Sequence, residues 1–146
     1  MDSSEVAASL ERLLSLIRWL SPPGLSLTAA ATMTTLERSG PCRLTALAVA
    51  EGVTQPAMTQ LVGRLEAGGL VERCPDPDDG RVVRVQLTDE GRDLIARRRA
   101  ARAERLWSLL GTLAPADQEA LAAAMPAINA LARAPREPLT DDWMEH

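Results

Sequence analysis

The fold is decided by residues 44–92, which read LTALAVAEGVTQPAMTQLVGRLEAGGLVERCPDPDDGRVVRVQLTDEGR. Two helical segments meet there across Gly52 and Val53, and the first of them has fewer than ten residues. We expect Thr45 to cap the first helix and Thr54 to cap the second, with Gly52 allowing the sharp turn between them. Two helices joined this closely predict a helix-turn-helix.

The second of these helices is predicted to have a buried face and a reading face. Its apolar residues recur at i, i+3, i+4 and i+7, which places Met58, Leu61, Val62 and Leu65 towards the core. The opposite side carries Gln55, Pro56, Thr59, Gln60, Gly63 and Arg64. Glutamine pairs with adenine, threonine contacts a thymine methyl, and arginine binds guanine or phosphate, so this face suits DNA bases. An ordinary solvated helix face is the alternative.

A β-hairpin is predicted after this helix. Residues 70–74 and 81–87 have the pattern of two strands, with a turn over residues 75–80. Asp79, Gly80 and Arg81 then lie at its tip, where Arg81 can enter a minor groove while Asp79 orients the guanidinium through a salt bridge. Arg84 is expected on the same polar strand face. Asp79 and Gly80 also form a simple turn signal, and the two interpretations are compatible.

Amphipathic helices flank this region. We expect a first helix over residues 5–20 and a second that is capped by Ser26 and ends at about Ser39. A long helix capped by Thr88 should run to about Leu110, and a last one should begin at Pro115 and be kinked at Pro126. Residues 135–146 lack an apolar period and are predicted to be a mobile tail, with Trp143 the one residue able to dock it.

The composition narrows the class of protein. The 146 residues carry a net charge of −4, and the acidity lies towards the C-terminus: residues 54–105 hold 10 Arg against 9 acids (+1), whereas residues 106–146 hold 2 against 6 (−4). We expect a cytoplasmic protein without a signal peptide or membrane span. Cys42 and Cys74 are expected to be reduced thiols, because their spacing predicts neither a disulfide framework nor a zinc site.

Catalysis is not expected from this sequence. His146 is the only histidine, and no serine or cysteine is placed beside a base. No metal-ligand cluster or glycine-rich phosphate loop is present, so we predict no enzyme activity and no cofactor.

The quoted stretch resembles the core of the multiple-antibiotic-resistance-regulator (MarR) family of transcription regulators. The shared features are a GLVER-like strand at residues 69–73, an Asp-x-Arg wing at residues 79–81 and an LT-x-x-G helix start at residues 87–91. The resemblance implies a mainly α (α+β) fold comprising one domain. A winged helix-turn-helix lobe over residues 24–92 would stand on dimerisation helices over residues 5–20 and 93–134.

The family resemblance also implies partners. Members are homodimers that bind double-stranded DNA, commonly as ligand-responsive repressors on palindromic operators, and the helix from Thr54 would enter the major groove. The implied dimer interface comprises Val6, Leu10, Leu13, Leu14, Ile17, Leu106, Leu109, Leu110, Leu113, Leu121 and Ile128. A packed core within one chain is the alternative for these residues. Three long apolar helices, however, exceed what one small lobe can cover.

Departures from the family pattern bear on affinity. Gln60 and Gly80 stand where basic residues are usual, and Ala114 stands where a serine usually caps the last helix. We therefore expect comparatively weak or A·T-leaning DNA binding. A winged-helix protein-interaction module that has lost DNA binding is the alternative function.

The family's small-molecule crevice is barely described by this sequence. Phe and Tyr are absent, so the pocket is expected to be aliphatic, with Arg12, Arg18 or Arg38 as candidate anion partners. Some members of the family sense peroxides through a reactive cysteine near the first helix. Neither Cys42 nor Cys74 lies there, so redox sensing is not expected. Arg98, Arg102 and Arg105 align on one helix face, which we interpret as solvated or as paired with acids across the dimer. A second nucleic-acid-binding stripe is the alternative for these arginines.

Overall fold

The computed structural model describes residues 1–136, which form six α-helices and three short strands. The elements are α1 (Ser3–Leu20), α2 (Leu27–Ser39), β1 (Cys42–Arg43), α3 (Leu44–Glu51), α4 (Gln55–Ala67), β2 (Val71–Pro75), β3 (Val83–Leu87), α5 (Asp89–Leu110) and α6 (Pro115–Ala132). This is the predicted mainly helical architecture with a winged helix-turn-helix. Residues 137–146 of the predicted tail, which include Trp143, lie outside the described residues.

The predicted helix caps are mostly confirmed. The hydroxyl of Ser26 accepts a hydrogen bond from the Ala29 N–H at 3.1 Å, and that of Thr88 accepts from the Gly91 N–H at 3.1 Å. These bonds satisfy amides that have no partner within the helix. Pro126 lies inside α6, which continues through it to Ala132.

The predicted cap at Thr45 is wrong. Arg43 occupies the N-cap position of α3 and makes no side-chain cap, while Thr45 lies exposed in the first turn. The reason is β1, which keeps the chain extended up to Arg43, so that the helix begins at once with Leu44.

The predicted two-stranded hairpin is a three-stranded antiparallel sheet with the order β1-β3-β2. Cys42 of β1 pairs with Val85, and Cys74 of β2 pairs with Arg84, so the central strand β3 has a neighbour on both sides. The ladder of β3 begins at Val83, two residues later than expected. Pairing of β1 ties the entrance of the helix-turn-helix to the wing.

The core belongs to the helix-turn-helix lobe. Met33, Leu47, Met58, Val62 and Val85 have no exposed surface, and Ile95 of α5 packs against the same cluster. Burying apolar side chains of this size contributes about 1.5–3 kcal/mol each. The core therefore fixes α4 and the sheet as one unit.

The start of α5 is fixed to the end of α4 by a dense set of backbone contacts. The Thr88 hydroxyl donates to the Gly69 carbonyl at 2.6 Å, and the Thr88 N–H donates to the Leu70 carbonyl at 3.1 Å. Gly91 lies directly against Leu70, where an added Cβ would be 2.1 Å from the carbonyl oxygen. The LT-x-x-G pattern is thus the packing of a helix start onto a backbone turn.

Arg98 and Arg102 of α5 hold the loop between α1 and α2, so the interpretation of their face as solvated or salt-bridged is wrong for these two residues, whereas Arg105 is exposed. Arg98 is only 6% exposed, and its guanidinium donates to the carbonyls of Pro22 and Pro23 at 2.7 and 3.1 Å and to that of Leu25 at 3.4 Å. Arg102 donates to the Ser21 hydroxyl and Arg105 to the Trp19 carbonyl. Carbonyl and hydroxyl oxygens, rather than acidic side chains, are their partners.

Candidate nucleic-acid interface

The helix α4 is fixed from within and capped at both ends. Met58, Leu61, Val62 and Leu65 are at most 7% exposed, as their spacing predicts. The Thr54 hydroxyl accepts from the Ala57 N–H at 3.4 Å, and Val53 packs against the core cluster. At the C-terminus, the N–H groups of Gly69 and Leu70 donate to the carbonyls of Glu66 and Leu65, with Gly69 at φ 73°.

The turn of the helix-turn-helix, like the end of α4, contains a glycine in the left-handed conformation. Gly52 ends α3 at φ 63°, in the left-handed region that a side chain disfavours. The N–H groups of Gly52 and Val53 donate to the carbonyls of Val49 and Ala48, at 3.2 and 3.0 Å. The orientation of α4 relative to α3 is therefore determined by backbone bonds.

The outer face of α4 presents polar groups to solvent. Gln55, Pro56, Thr59, Gln60 and Arg64 are all exposed, and Gly63 among them is half-buried. The Thr59 hydroxyl donates to the Gln55 carbonyl at 2.9 Å, which leaves its oxygen as an acceptor. Within residues 1–136, the side chains of Gln55, Gln60 and Arg64 make no hydrogen bond, so their donors and acceptors are available to a ligand.

The wing loop is organised by Asp76, a residue that the sequence analysis treated only as part of a turn. Its Oδ1 accepts from the N–H groups of Asp78 at 2.9 Å and Asp79 at 3.3 Å, and its Oδ2 accepts from Arg43 Nε at 2.9 Å. Asp76 is 6% exposed. The order Asp-Pro-Asp, typical of an aspartate-capped turn, is the signal that could have revealed it.

The expected salt bridge from Asp79 to Arg81 is wrong. Asp79 Oδ1 instead accepts the backbone N–H of Arg81 at 3.0 Å, and the Val82 N–H donates to the Asp79 carbonyl at 2.9 Å. These bonds close the tip of the wing as a tight turn. The Arg81 side chain is exposed and bonds no residue of the described chain, so the turn presents it to solvent.

The ion pair of Arg43 and Asp76 connects the wing to the start of α3. The hydrogen bond from Arg43, helped by those from the wing amides, lowers the pKa of Asp76 from 3.8 to about 2. The side chain of Asp76 is buried whereas that of Arg43 is half exposed. The ion pair between Arg43 and Asp76 therefore requires the ionised form of the Asp76 carboxylate.

Acid should weaken the ion pair between Arg43 and Asp76. Because the pKa of Asp76 is lower in the folded chain than in the unfolded one, its contribution to stability is complete above about pH 4 and is lost as the pH falls towards 2. We expect the unfolding free energies of the wild type and Asp76→Asn to differ most at neutral pH and to converge in that acidic range. Urea unfolding at several pH values measures the difference, and a difference independent of pH would contradict this role.

Arg84 is placed differently from the expectation. Its Nη2 donates to the Pro41 carbonyl at 2.7 Å, so the guanidinium holds the chain before β1 against β3. Its partner is in the protein and the side chain is partly buried. The structure therefore brings Arg81, but not Arg84, to the tip of the wing.

The two cysteines flank the central strand. Because β1 and β2 lie on opposite sides of β3, Cys42 and Cys74 are roughly 10 Å apart, beyond the reach of a disulfide. Burial raises the pKa of Cys42, although Arg84 opposes the shift, and this disfavours the reactive thiolate. Within the described residues, no group of three His, Cys, Asp or Glu side chains could hold a metal ion.

An open cavity of about 810 Å³ lies between α2 and α5, and it is also lined by α1, the end of α3 and the segment after α6. Its apolar wall is aliphatic, as predicted, and includes Leu14, Ile17 and Ile95. Of the arginines that the sequence suggested as anion partners, Arg38 lines this cavity, whereas Arg12 and Arg18 do not. Several further arginines, which the sequence analysis did not assign to a pocket, line it as well.

The apolar residues assigned to an interface are largely exposed in the single chain. Leu10, Leu13, Leu14 and Ile17 of α1 are 40–45% exposed, and Leu113, Leu121 and Ile128 are 37–39% exposed. Val6, Leu106, Leu109 and Leu110 are half-buried. No residue of α6 is buried, so a core within one chain does not account for this helix.

Among the described residues, no helix combines the length and apolar character that crossing a bilayer requires.

Comparison with known proteins gives a consistent family. The sequence profile of the MarR family matches residues 25–83. An uncharacterised helix-turn-helix transcriptional regulator of Mycobacterium bovis, Mb0904, is 34% identical over 130 residues, which cover 88% of this chain and 91% of the relative.

Solved structures share the fold. RV1404 of Mycobacterium tuberculosis has a TM-score of 0.76 at 26% identity, covering 92% of this chain and 97% of its own. BpsR of Bordetella bronchiseptica, described with the regulation of its DNA binding by 6-hydroxynicotinic acid, has a TM-score of 0.65 at 23% identity and covers 88% and 93%. The chain therefore belongs to the MarR family of DNA-binding, helix-turn-helix transcriptional regulators.

Proposed function

We propose that this regulator acts as a cytoplasmic homodimer, a ligand-responsive repressor, on an imperfect palindromic operator. The observation that carries the proposal is the two-sided character of α4, whose inner face is buried while its outer face exposes unbonded polar groups. A helix presented in this way fits the major groove, where amide and guanidinium groups identify bases.

The proposed contacts divide by their chemistry. Gln55, Thr59 and Gln60 would read base edges, with Pro56 packing beside them, and Arg64 would bind guanine or phosphate. Thr45 and Thr54, at the starts of α3 and α4, would position the head on the phosphate backbone. Arg81 would enter the flanking minor groove, with Asp79 shaping the turn that presents it. Arg84 would act through the sheet rather than at the wing tip.

The proposed dimer follows from the exposed apolar residues of α1, α5 and α6. A second copy related by two-fold symmetry would cover the same faces on both chains. The two copies of α4 would then face adjacent turns of the major groove, which lie about 34 Å apart. Half-sites centred about 10 base pairs apart are the consequence for the operator.

Ligand response is supported by the position of the cavity. Its walls come from the long helix α5 and from α2 and α3 of the reading lobe, so an occupant could favour one arrangement of the two. A member of the same fold, BpsR, is described as having its DNA binding regulated by a small acid. An effector that binds one dimer shape better than the other changes the operator affinity reciprocally.

Arg81→Ala tests the assignment of the wing. We expect operator affinity to fall by about tenfold to a hundredfold, and the slope of log affinity against log salt to become shallower by about 0.9, because one cation no longer contacts DNA. Fluorescence anisotropy over a salt series measures both.

Arg97→Ala is the matched control, since it removes an exposed arginine of α5 that lies outside the reading head. It should leave both quantities nearly unchanged. Full affinity and an unaltered slope in Arg81→Ala would show that the wing does not make this contact. Failure of the parent chain to bind any genomic fragment would favour the protein-interaction module instead.

A further inference from the structure

Arginines from three parts of the chain surround the cavity between α2 and α5. A single acid, Glu51, lies among them, although the whole chain has a net charge of −4. Like charges gathered around one space repel each other, which disfavours the arrangement unless anions offset it. The lining arginines are Arg38 of α2, Arg98, Arg99 and Arg102 of α5, and Arg133 and Arg136 after α6.

Acidic side chains of the described residues neutralise little of this charge. Only Arg99 has a carboxylate partner, Glu37 of α2. Arg98 and Arg102 use carbonyl and hydroxyl oxygens, and the Nε atom of each is buried without an acceptor in residues 1–136. Burial and the neighbouring Arg102 both lower the pKa of Arg98. The exposed guanidinium of Arg38, in contrast, lines the cavity and is open to it, so an anion there would gain charge-assisted hydrogen bonds.

The remaining lining is aliphatic. Leu14, Ile17, Ala30, Val49 and Ile95 contribute it, and no aromatic side chain of the described chain takes part. An aromatic ligand would find no ring to stack on here. The volume, about 810 Å³, is sufficient for a small metabolite with several charged groups.

We propose that this cavity binds a small, non-aromatic polyanion, with two or more carboxylate or phosphate groups, between Arg102 on α5 and Arg38 on α2, while the buried Arg98 adds positive charge. The proposal deepens the ligand response proposed above and rests on it for its regulatory meaning. Arg136 adds a link, since its guanidinium donates to the Ala50 carbonyl near the end of α3 at 3.1 Å. An anion that engaged Arg136 would thus act on the helix-turn-helix directly.

The test is direct binding of defined anions to the full chain without DNA. Isothermal titration at constant ionic strength compares citrate and pyrophosphate with the aromatic monoanion benzoate. We expect saturable binding of citrate or pyrophosphate that is at least about tenfold tighter than that of benzoate, since one anionic group engages fewer arginines.

Variants then locate the site. Arg38→Gln and Arg102→Gln should each weaken the tighter polyanion by about tenfold or more, whereas Arg97→Gln, on the exposed side of α5, should not. Arg38 makes no side-chain bond to the described residues, so its substitution is not expected to disturb folding.

Three results would overturn the inference: benzoate binding as tightly as the polyanions, polyanion binding that both lining variants retain, or no saturable binding of either polyanion. Operator binding, measured separately, distinguishes the two proposals. Intact DNA binding with no anion binding rejects the cavity assignment alone, whereas a chain that binds polyanions but no DNA rejects the proposed function.

Discussion

Gly91→Ala is expected to destabilise the protein by at least about 3 kcal/mol. The new Cβ would lie 2.1 Å from the Leu70 carbonyl oxygen and 3.1 Å from its carbon, both backbone atoms that cannot rotate away. Leu70 is itself held by the Thr88 N–H, so relief requires α5 to move off the sheet. Urea unfolding at fixed protein concentration measures the loss.

Gly63→Ala supplies the matched control. Gly63 lies within α4, and an added Cβ there has no heavy atom within 4 Å. Because alanine favours the helix over glycine, this change should stabilise the protein by about 0.5–1 kcal/mol. If Gly91→Ala unfolded within about 0.5 kcal/mol of the wild type, the close packing of α5 on the α4–β2 turn would be wrong.

Leu13→Glu is expected to break the proposed dimer and to lower operator affinity at least a hundredfold. Leu13 is 42% exposed in the single chain, so the charge is tolerated there but must be desolvated in an apolar interface. A monomer binds only one half-site. It therefore loses the gain in affinity that a dimer has because its second DNA-binding head is already held close to the second half-site. Analytical ultracentrifugation and anisotropy measure mass and affinity.

Ser15→Glu places the same charge two residues along α1, on the face predicted to be polar. It should preserve both the dimer and the affinity. A Leu13→Glu protein that still sediments as a dimer and binds the operator normally would remove α1 from the interface.

Local sequence pattern predicted much of the reading head. Met58 and Val62 were placed in the core by helical spacing, and Thr54 and Thr88 were identified as caps, because these features depend on residues within one turn. The strand β1 was missed, since two residues are too few to show alternation. Its absence from the prediction also misplaced the start of α3.

Features that depend on distant partners were not predictable from pattern. Arg43 and Asp76 are 33 positions apart, and Arg98 binds carbonyls 73 to 76 positions away. A helical wheel shows that Arg98 shares a face with Arg102, but it cannot show that backbone oxygens of a loop cover that face. The lining arginines other than Arg38 were missed for the same reason, since they come from separate elements.

The outer face of α4 illustrates a different limit. Sequence and structure agree on which residues it exposes, yet the bases that the proposed reading residues Gln55, Thr59 and Gln60 would contact depend on the position of the proposed second copy. Gln60 and Gly80 stand where the family usually has basic residues, so fewer arginines face the DNA. We therefore expect DNA shape and A·T content to contribute to recognition.

Selection of genomic fragments by the purified protein, followed by footprinting of those retained, tests the central claim most directly. We expect an imperfect palindrome with half-sites about 10 base pairs apart, protected on one face of the duplex. Protection of a single site without two-fold symmetry, or the retention of no fragment at low salt, would contradict it.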